Sequence, residues 1–179
     1  MDKVEAELAI RNVINLYGLA ADCGDIDTAL ACHTKNAIYV VSAPRSGRDG
    51  EASDLELTGH KAIRDMLSSE MHQSLLPNCA HTVGPLIVKV LENSATVLGY
   101  SRVYNQRDGQ PVLMRLAFNK WEMQVDKRQW KIARRESRVM GEEAAQDMLK
   151  SSVGAMLCCL LYTSPSPRDL STSRMPSSA

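Results

Sequence analysis

Ala80-His81-Thr82-Val83-Gly84-Pro85-Leu86-Ile87-Val88-Lys89-Val90-Leu91, then Glu92-Asn93, then Ser94-Ala95-Thr96-Val97-Leu98, is the stretch that decides the fold. Aliphatic and β-branched residues crowd both halves, and a two-residue polar break separates them, which is the pattern of a tight hairpin. The pattern continues downstream, predicting strands over about 80–91, 94–106, 111–125 and 129–140. Their turns fall at Glu92-Asn93, Arg107-Asp108-Gly109 and Asp126-Lys127-Arg128. Long strands joined by short turns pair antiparallel, so a meander is expected.

Upstream the period changes. Ile10, Val13, Ile14, Tyr17 and Ala21 mark one buried stripe of a helix over 4–21, and Gly24 supplies its stop. Asp25 can cap a second helix from Ile26 to His33. Ala37-Ile38-Tyr39-Val40-Val41 reads as a short strand, and Ser42 to Glu56 as a loop long enough to rim or cover a pocket. Thr58 caps a third helix carrying Ile63, Met66, Leu67 and Met71, which Pro77 ends. Gly141 to Lys150 is read as a closing helix. Helices first and a sheet afterwards is the order of an α+β domain rather than of βαβ units.

The chain has 179 residues, the size of one domain. Its 21 Lys and Arg balance 21 Asp and Glu, and charges of both signs are interspersed. That excludes nucleic acid and anionic membrane as the expected partner. The basic cluster Lys131, Arg134, Arg135, Arg138 is interrupted by Glu136 and reads first as a solvated strand face. No segment approaches the ~18 uninterrupted apolar residues of a membrane helix. Met1-Asp2-Lys3-Val4-Glu5 lacks the features of a signal peptide, so a cytoplasmic location is expected. Cys23, Cys32, Cys79, Cys158 and Cys159 fit neither zinc-knuckle nor redox spacing.

From Cys159 the chain reads Cys-Leu-Leu-Tyr-Thr-Ser-Pro-Ser-Pro-Arg-Asp and closes on Ser-Arg-Met-Pro-Ser-Ser-Ala. These strings resemble a sequencing adapter and its flow-cell primer translated in one frame. The domain is therefore expected to span 1–157, with 158–179 a disordered, non-native tail.

Four residues invite chemistry. Asp22 follows the apolar run Leu19-Ala20-Ala21, where an acid needs a partner or water. It is either a helix-end carboxylate facing solvent or an acid that orients a histidine. His81 opens the first long strand and is either a hydrogen-bonded structural residue or a general base. Tyr17 lies on the buried stripe, as a core aromatic or as a donor to a developing oxyanion. Arg134, placed by period two on the face of Trp130 and Ile132, is an exposed ion-pair partner or an inward anchor for a carboxylate or enolate. His33, His60 and His72 read as surface residues. No set of ligands has metal-site spacing, and no glycine-rich phosphate loop or nucleophile elbow occurs, so no metal and no cofactor is expected.

The order of these pieces resembles the SnoaL-like family of the nuclear-transport-factor-2-like superfamily. The similarity rests on Ile10-Arg11-Asn12-Val13-Ile14-Asn15-Leu16-Tyr17 running to Asp22-Cys23-Gly24-Asp25-Ile26-Asp27, and on Gly59-His60-Lys61-Ala62-Ile63. It continues through His81 into Leu86-Ile87-Val88, Asn93-Ser94-Ala95-Thr96-Val97 and Trp130-Lys131-Ile132-Ala133-Arg134-Arg135. The resemblance implies a cone-shaped, curved antiparallel or mixed sheet, closed by N-terminal helices around a mostly apolar pocket. Its cofactor-free enzymes include a hexachlorocyclohexane dehydrochlorinase, scytalone dehydratase, a bile-acid dehydratase and polyketide cyclases. The dehydrochlorinase's Asp–His dyad matches Asp22 and His81; the bile-acid dehydratase adds a Tyr matching Tyr17 and an Arg matching Arg134. Pro85 stands where many members carry Asn, and residues 94–125 hold no second histidine.

The expected function is a cofactor-independent lyase or isomerase acting on a small hydrophobic molecule. Its rivals are a non-catalytic binding or dimerisation module and the small subunit of a ring-hydroxylating dioxygenase. A homodimer or homotrimer is expected.

Overall fold

The computed structural model describes residues 2–42 and 54–160, with side chains through Met156. The first helix, α1 (Lys3–Asp22), buries Ala6, Ile10, Ile14, Tyr17, Gly18, Ala20 and Ala21. Its start carries a capping box between Asp2 and Glu5. Gly24, at φ +75°, takes the left-handed conformation that turns the chain into α2 (Ile26–Ala31). Asp25 caps α2 by accepting from the Thr28 amide.

The second helix is shorter than expected and the following strand longer. β1 runs His33–Val41, so His33 belongs to the sheet instead of a helix edge. Pairing decides this: His33 is in register with Ile132 of β6 (Gln129–Val139), and the Ile132 amide donates to the Cys32 carbonyl. β2 (Leu55–Thr58) pairs antiparallel with β1. The expected loop over 42–56 lies outside the described residues except at its ends, where Ser42 is buried and Leu55 and Glu56 belong to β2.

α3 (Gly59–Leu67) ends before Met71. Ser69 then caps a separate turn, α4 (Glu70–Gln73), accepting from the His72 amide, and this turns Met71 outward.

The meander follows the sequence closely, as β3 (Cys79–Leu91), β4 (Ser94–Arg107), β5 (Gln110–Asp126) and β6. The sheet order is β2-β1-β6-β5-β4-β3, antiparallel except where β1 runs parallel to β6. The curled sheet with its helices makes the molecule α+β. Its core lies between α1 and the inner sheet face, where Val97, Trp121, Met123, Trp130 and Ile132 meet Ile10, Ile14 and Tyr17. α5 (Glu143–Leu160) packs Met156 against Leu98 and Phe118, and its backbone continues past the boundary expected at residue 157. Residues 161–179 lie outside the described residues.

Two details of the sheet position the site. Gly18 lets α1 close on β3: a Cβ there would lie 3.0 Å from the His81 carbonyl oxygen. In β6, Ile132 faces Met123 while Arg134 faces the adjacent Glu122, so Ala133 is an extra, bulged residue. A bulge shifts the alternation by one, and the inward row continues as Arg135 and Ser137, both buried.

Candidate active site

Asp22 ends α1 beside the start of β3 and holds His81 at two points. Its Oδ1 lies 2.5 Å from His81 Nδ1, and its Oδ2 accepts the His81 backbone N–H at 2.7 Å. Cys79 Sγ donates a third, longer bond to Oδ1 at 3.4 Å. Burial works to raise the Asp22 carboxyl, but the bonds from His81 and Cys79 outweigh it and hold the carboxyl below its ordinary value. Asp22 is therefore a carboxylate at neutral pH, and the Nδ1 proton of a neutral His81 points at it. That leaves the lone pair on Nε2, which makes no hydrogen bond among the described residues. His81 is one-quarter exposed.

His72 lies alongside, its ring centroid 6.0 Å from that of His81 and its Nε2 3.3 Å from the Ala21 carbonyl. Burial lowers its affinity for a proton. The donor atoms of Asp22, Cys79 and His81 fall within 4.8 Å of one another, close enough to raise the question of a metal. Two ligands on one tetrahedral zinc stand roughly 3.3 Å apart. The 2.5 Å between Oδ1 and Nδ1 is a hydrogen-bond distance instead.

A second cluster occupies the inner sheet face one turn back along α1. The Tyr17 ring meets His33 edge-on at 4.8 Å, and the Arg135 guanidinium stands 5.6 Å from Tyr17, 4.7 Å from Tyr39 and 5.6 Å from Trp121. Arg135 Nε donates to Asn119 Oδ1 at 3.0 Å, and Asn119 in turn donates to Ser101 Oγ at 2.7 Å. Burial raises the Tyr17 hydroxyl, with Tyr39 adding to it and Arg135 opposing, so the phenol stays protonated. Burial pushes His33 down to about 4. It is neutral at pH 7, with Nδ1 donating to the Ala29 carbonyl at 2.9 Å.

The structure thus brings Asp22 to His81 and sets Tyr17 on the same helix, but it does not bring Arg134 to them. Period two expects Arg134 beside Trp130 and Ile132; the bulge at Ala133 turns it to the other face and seats Arg135 against Tyr17. The three histidines expected at the surface are also corrected. His33 is 1 % exposed, while His60 and His72 are half-buried. His33, Tyr39, Asn119 and Arg135 are the inner-face residues that sequence reading passed over. A β-strand reading begun at His33 would have put Tyr39 and His33 on one face, six residues apart.

A depression of about 600 Å³, lined by Pro77, Asn78, Cys79, Ala80, Tyr104, Gln106 and Pro111, opens on the Cys79 side of the dyad, without His81 in its lining. A separate groove of about 220 Å³ lies under α5 on the outer face, between Lys89, Lys120 and Met156. No described helix is long and apolar enough to cross a membrane.

A profile of the SnoaL-like domain matches residues 2–136, from the start of α1 through most of β6. The chain belongs to the SnoaL-like domain family. Among solved structures it is similar to an NTF2-like protein with a cystatin-like fold from Novosphingobium aromaticivorans. The two are 28 % identical with a TM-score of 0.71, covering 82 % of this chain and 90 % of that one. A candidate scytalone dehydratase from the same organism is 17 % identical at a TM-score of 0.61, over 76 % of this chain and 85 % of that one. The β subunit of a candidate aromatic-ring-hydroxylating dioxygenase, again from that organism, is 14 % identical at 0.59, over 75 % and 88 %. The last two likenesses are of fold alone. No curated protein gives a significant match. The SnoaL-like architecture joins this chain to dehydratase-like and dioxygenase-subunit neighbours without choosing between their activities.

Proposed function

We propose that this SnoaL-like domain is a cofactor-independent lyase or isomerase in which His81 removes a proton from carbon in a small hydrophobic substrate. The observation that carries this reading is the two-point hold of Asp22 on His81. A carboxylate on Nδ1–H fixes the tautomer that keeps the Nε2 lone pair outward, and it stabilises the imidazolium formed when Nε2 takes the proton. The substrate C–H bond breaks and its proton passes to Nε2. The electron pair either expels a leaving group from the adjacent carbon as a double bond forms, or moves along a conjugated system that is reprotonated elsewhere. A base so positioned contributes ~10²–10⁴-fold.

Tyr17 supplies a hydroxyl that burial keeps protonated, suited to donate to charge developing on a substrate oxygen or leaving group. Arg135, stacked on the same ring, takes the supporting role that the sequence assigns to Arg134. The candidate scytalone dehydratase of similar fold is in keeping with a dehydration, one of the outcomes of this chemistry.

The test is solvent-deuterium incorporation, or elimination, followed by NMR across compounds with an acidic C–H beside a leaving group. The wild type is expected to turn over at least one of them, His81→Ala to abolish the reaction, and Asp22→Asn to slow it by ~10²–10⁴-fold. No turnover of any compound, or wild-type rates in both variants, contradicts the reading and leaves a binding module.

A further inference from the structure

Among the described residues, three buried side-chain atoms have no hydrogen-bond partner: His33 Nε2, Arg115 Nη2 and Trp121 Nε1. Buried polar groups are almost always paired, so each calls for an explanation. Trp121 lies against Arg135, whose guanidinium stands over its ring at 5.6 Å, and His33 and Arg115 feel the charge of Arg135.

Arg135 and Arg115 also lack a carboxylate partner among the described residues. Arg11, Arg64 and Arg138 each pair with a carboxylate, Glu7, Asp27 and Asp54 respectively. Arg135 is buried and Arg115 half-buried, yet neither makes an ion pair among the described residues. Arg135 has the neutral Asn119, and Arg115 Nη1 reaches only the Ser42 carbonyl at 3.5 Å. Burial works against the charge on Arg115, Tyr39 favours it, Arg135 opposes it, and the Glu142 carboxylate adds a smaller favourable effect. Two guanidinium charges that act on one another in a poorly solvated site repel, and an anion bound near both adds attractions that offset this repulsion.

The sheet register relates these arginines to the dyad. His81 on β3 faces Val103 on β4, and Val103 faces Arg115 on β5, so the three form one cross-strand row. Directly opposed residues share a face, and two strand spacings amount to about 10 Å between backbones. A base and a cationic anchor on one row, with Tyr17, Tyr39 and Trp121 as aromatic wall, describe a ligand that is apolar in the middle and anionic at one end.

We infer that the ligand of this site is a small hydrophobic carboxylic acid whose carboxylate is held by Arg115, on the same cross-strand row as His81. The inference deepens the proton-abstraction reading and rests on it for the word substrate, but the binding itself does not depend on catalysis. A planar carboxylate accepts two N–H bonds from a guanidinium fork, and Arg115 Nη2 donates to no partner among the described residues. Arg115 is half-buried as a residue, while Nη2 itself is buried.

The test is calorimetric titration of the full chain with 3-phenylpropionate and, as its neutral match, 3-phenylpropionamide. The acid is expected to bind at least tenfold more tightly than the amide. Arg115→Gln, confirmed as folded by circular dichroism, is expected to weaken the acid at least tenfold and leave the amide unchanged. Arg115→Lys should recover part of the loss, because charge returns without the fork. His81→Ala should bind the acid like the wild type, which separates this test from the catalytic one. Equal binding of acid and amide, no binding of the acid, or unchanged acid binding in Arg115→Gln overturns the anchor and leaves His81 chemistry untouched.

Discussion

The Asp22 carboxylate grips His81 twice, once through the ring at Nδ1 and once through the backbone N–H, so the residue is fixed in rotamer and in position together. The two bonds come from one side chain at the end of α1, which makes the C-terminus of that helix the mount for the strand residue that matters most. Asp22→Asn keeps the size of the group but loses the negative charge that favours imidazolium. The expected outcome is a folded protein slowed by ~10²–10⁴-fold, with the double variant Asp22→Asn/His81→Ala no slower than His81→Ala alone. Turnover measured for the three variants on one substrate checks it; additive losses would show two independent roles.

Gly18 is the reason this grip is possible, because any side chain there meets the His81 carbonyl. Gly18→Val is expected to push β3 off α1, destabilising the fold by roughly 1–3 kcal/mol. Urea unfolding gives the number. Unchanged stability would mean that the contact between α1 and β3 is looser than the structure shows.

The bulge at Ala133 makes neighbouring arginines unequal. Arg134→Gln is expected to leave stability within about 0.5 kcal/mol, because Arg134 is half-buried and makes no ion pair among the described residues. Arg135→Gln strips the charge from three aromatic rings and from the Asn119 bond, and is expected to lose about 1–3 kcal/mol. Paired unfolding curves decide it, and a larger loss at Arg134 would place the bulge elsewhere.

Much of this was legible beforehand, and the parts that were not share a cause. The four meander strands and their turns could be read because side-chain alternation and turn residues are local signals. The bulge could not, since Ala133 carries no glycine or other mark, and one unmarked insertion exchanges the faces of every residue after it. Asp22 and His81 stood out because an acid at the end of an apolar stripe and a histidine at the head of a strand each need a partner. His33 did not, because its burial comes from parallel pairing with β6, a contact far away in sequence.

His33 also makes stability depend on pH. Its value falls from 6.5 in the free group to about 4 in the fold, so the unfolded chain takes up the proton first. The stabilisation is complete above about 6.5 and is lost as pH falls toward 4, by at most roughly 3 kcal/mol. The lowered His72 acts in the same direction, and Asp22 follows at still lower pH. His33→Asn retains a donor for the Ala29 carbonyl and is expected to flatten the slope between pH 6.5 and 4.5. Urea unfolding at a series of pH values reads this, and an unaltered slope would assign the acid sensitivity to other groups.

The measurement closest to the central claim needs no substrate. Nitrogen-15 NMR of the histidine rings, in solution alkaline enough to keep imidazole neutral, reports which nitrogen of His81 carries the proton. With Asp22 bonded to Nδ1, the expected spectrum has Nδ1 protonated and Nε2 bare, and Asp22→Asn should lose that preference. A His81 found with its proton on Nε2 in the wild type would contradict a base that uses Nε2 to take a proton from carbon.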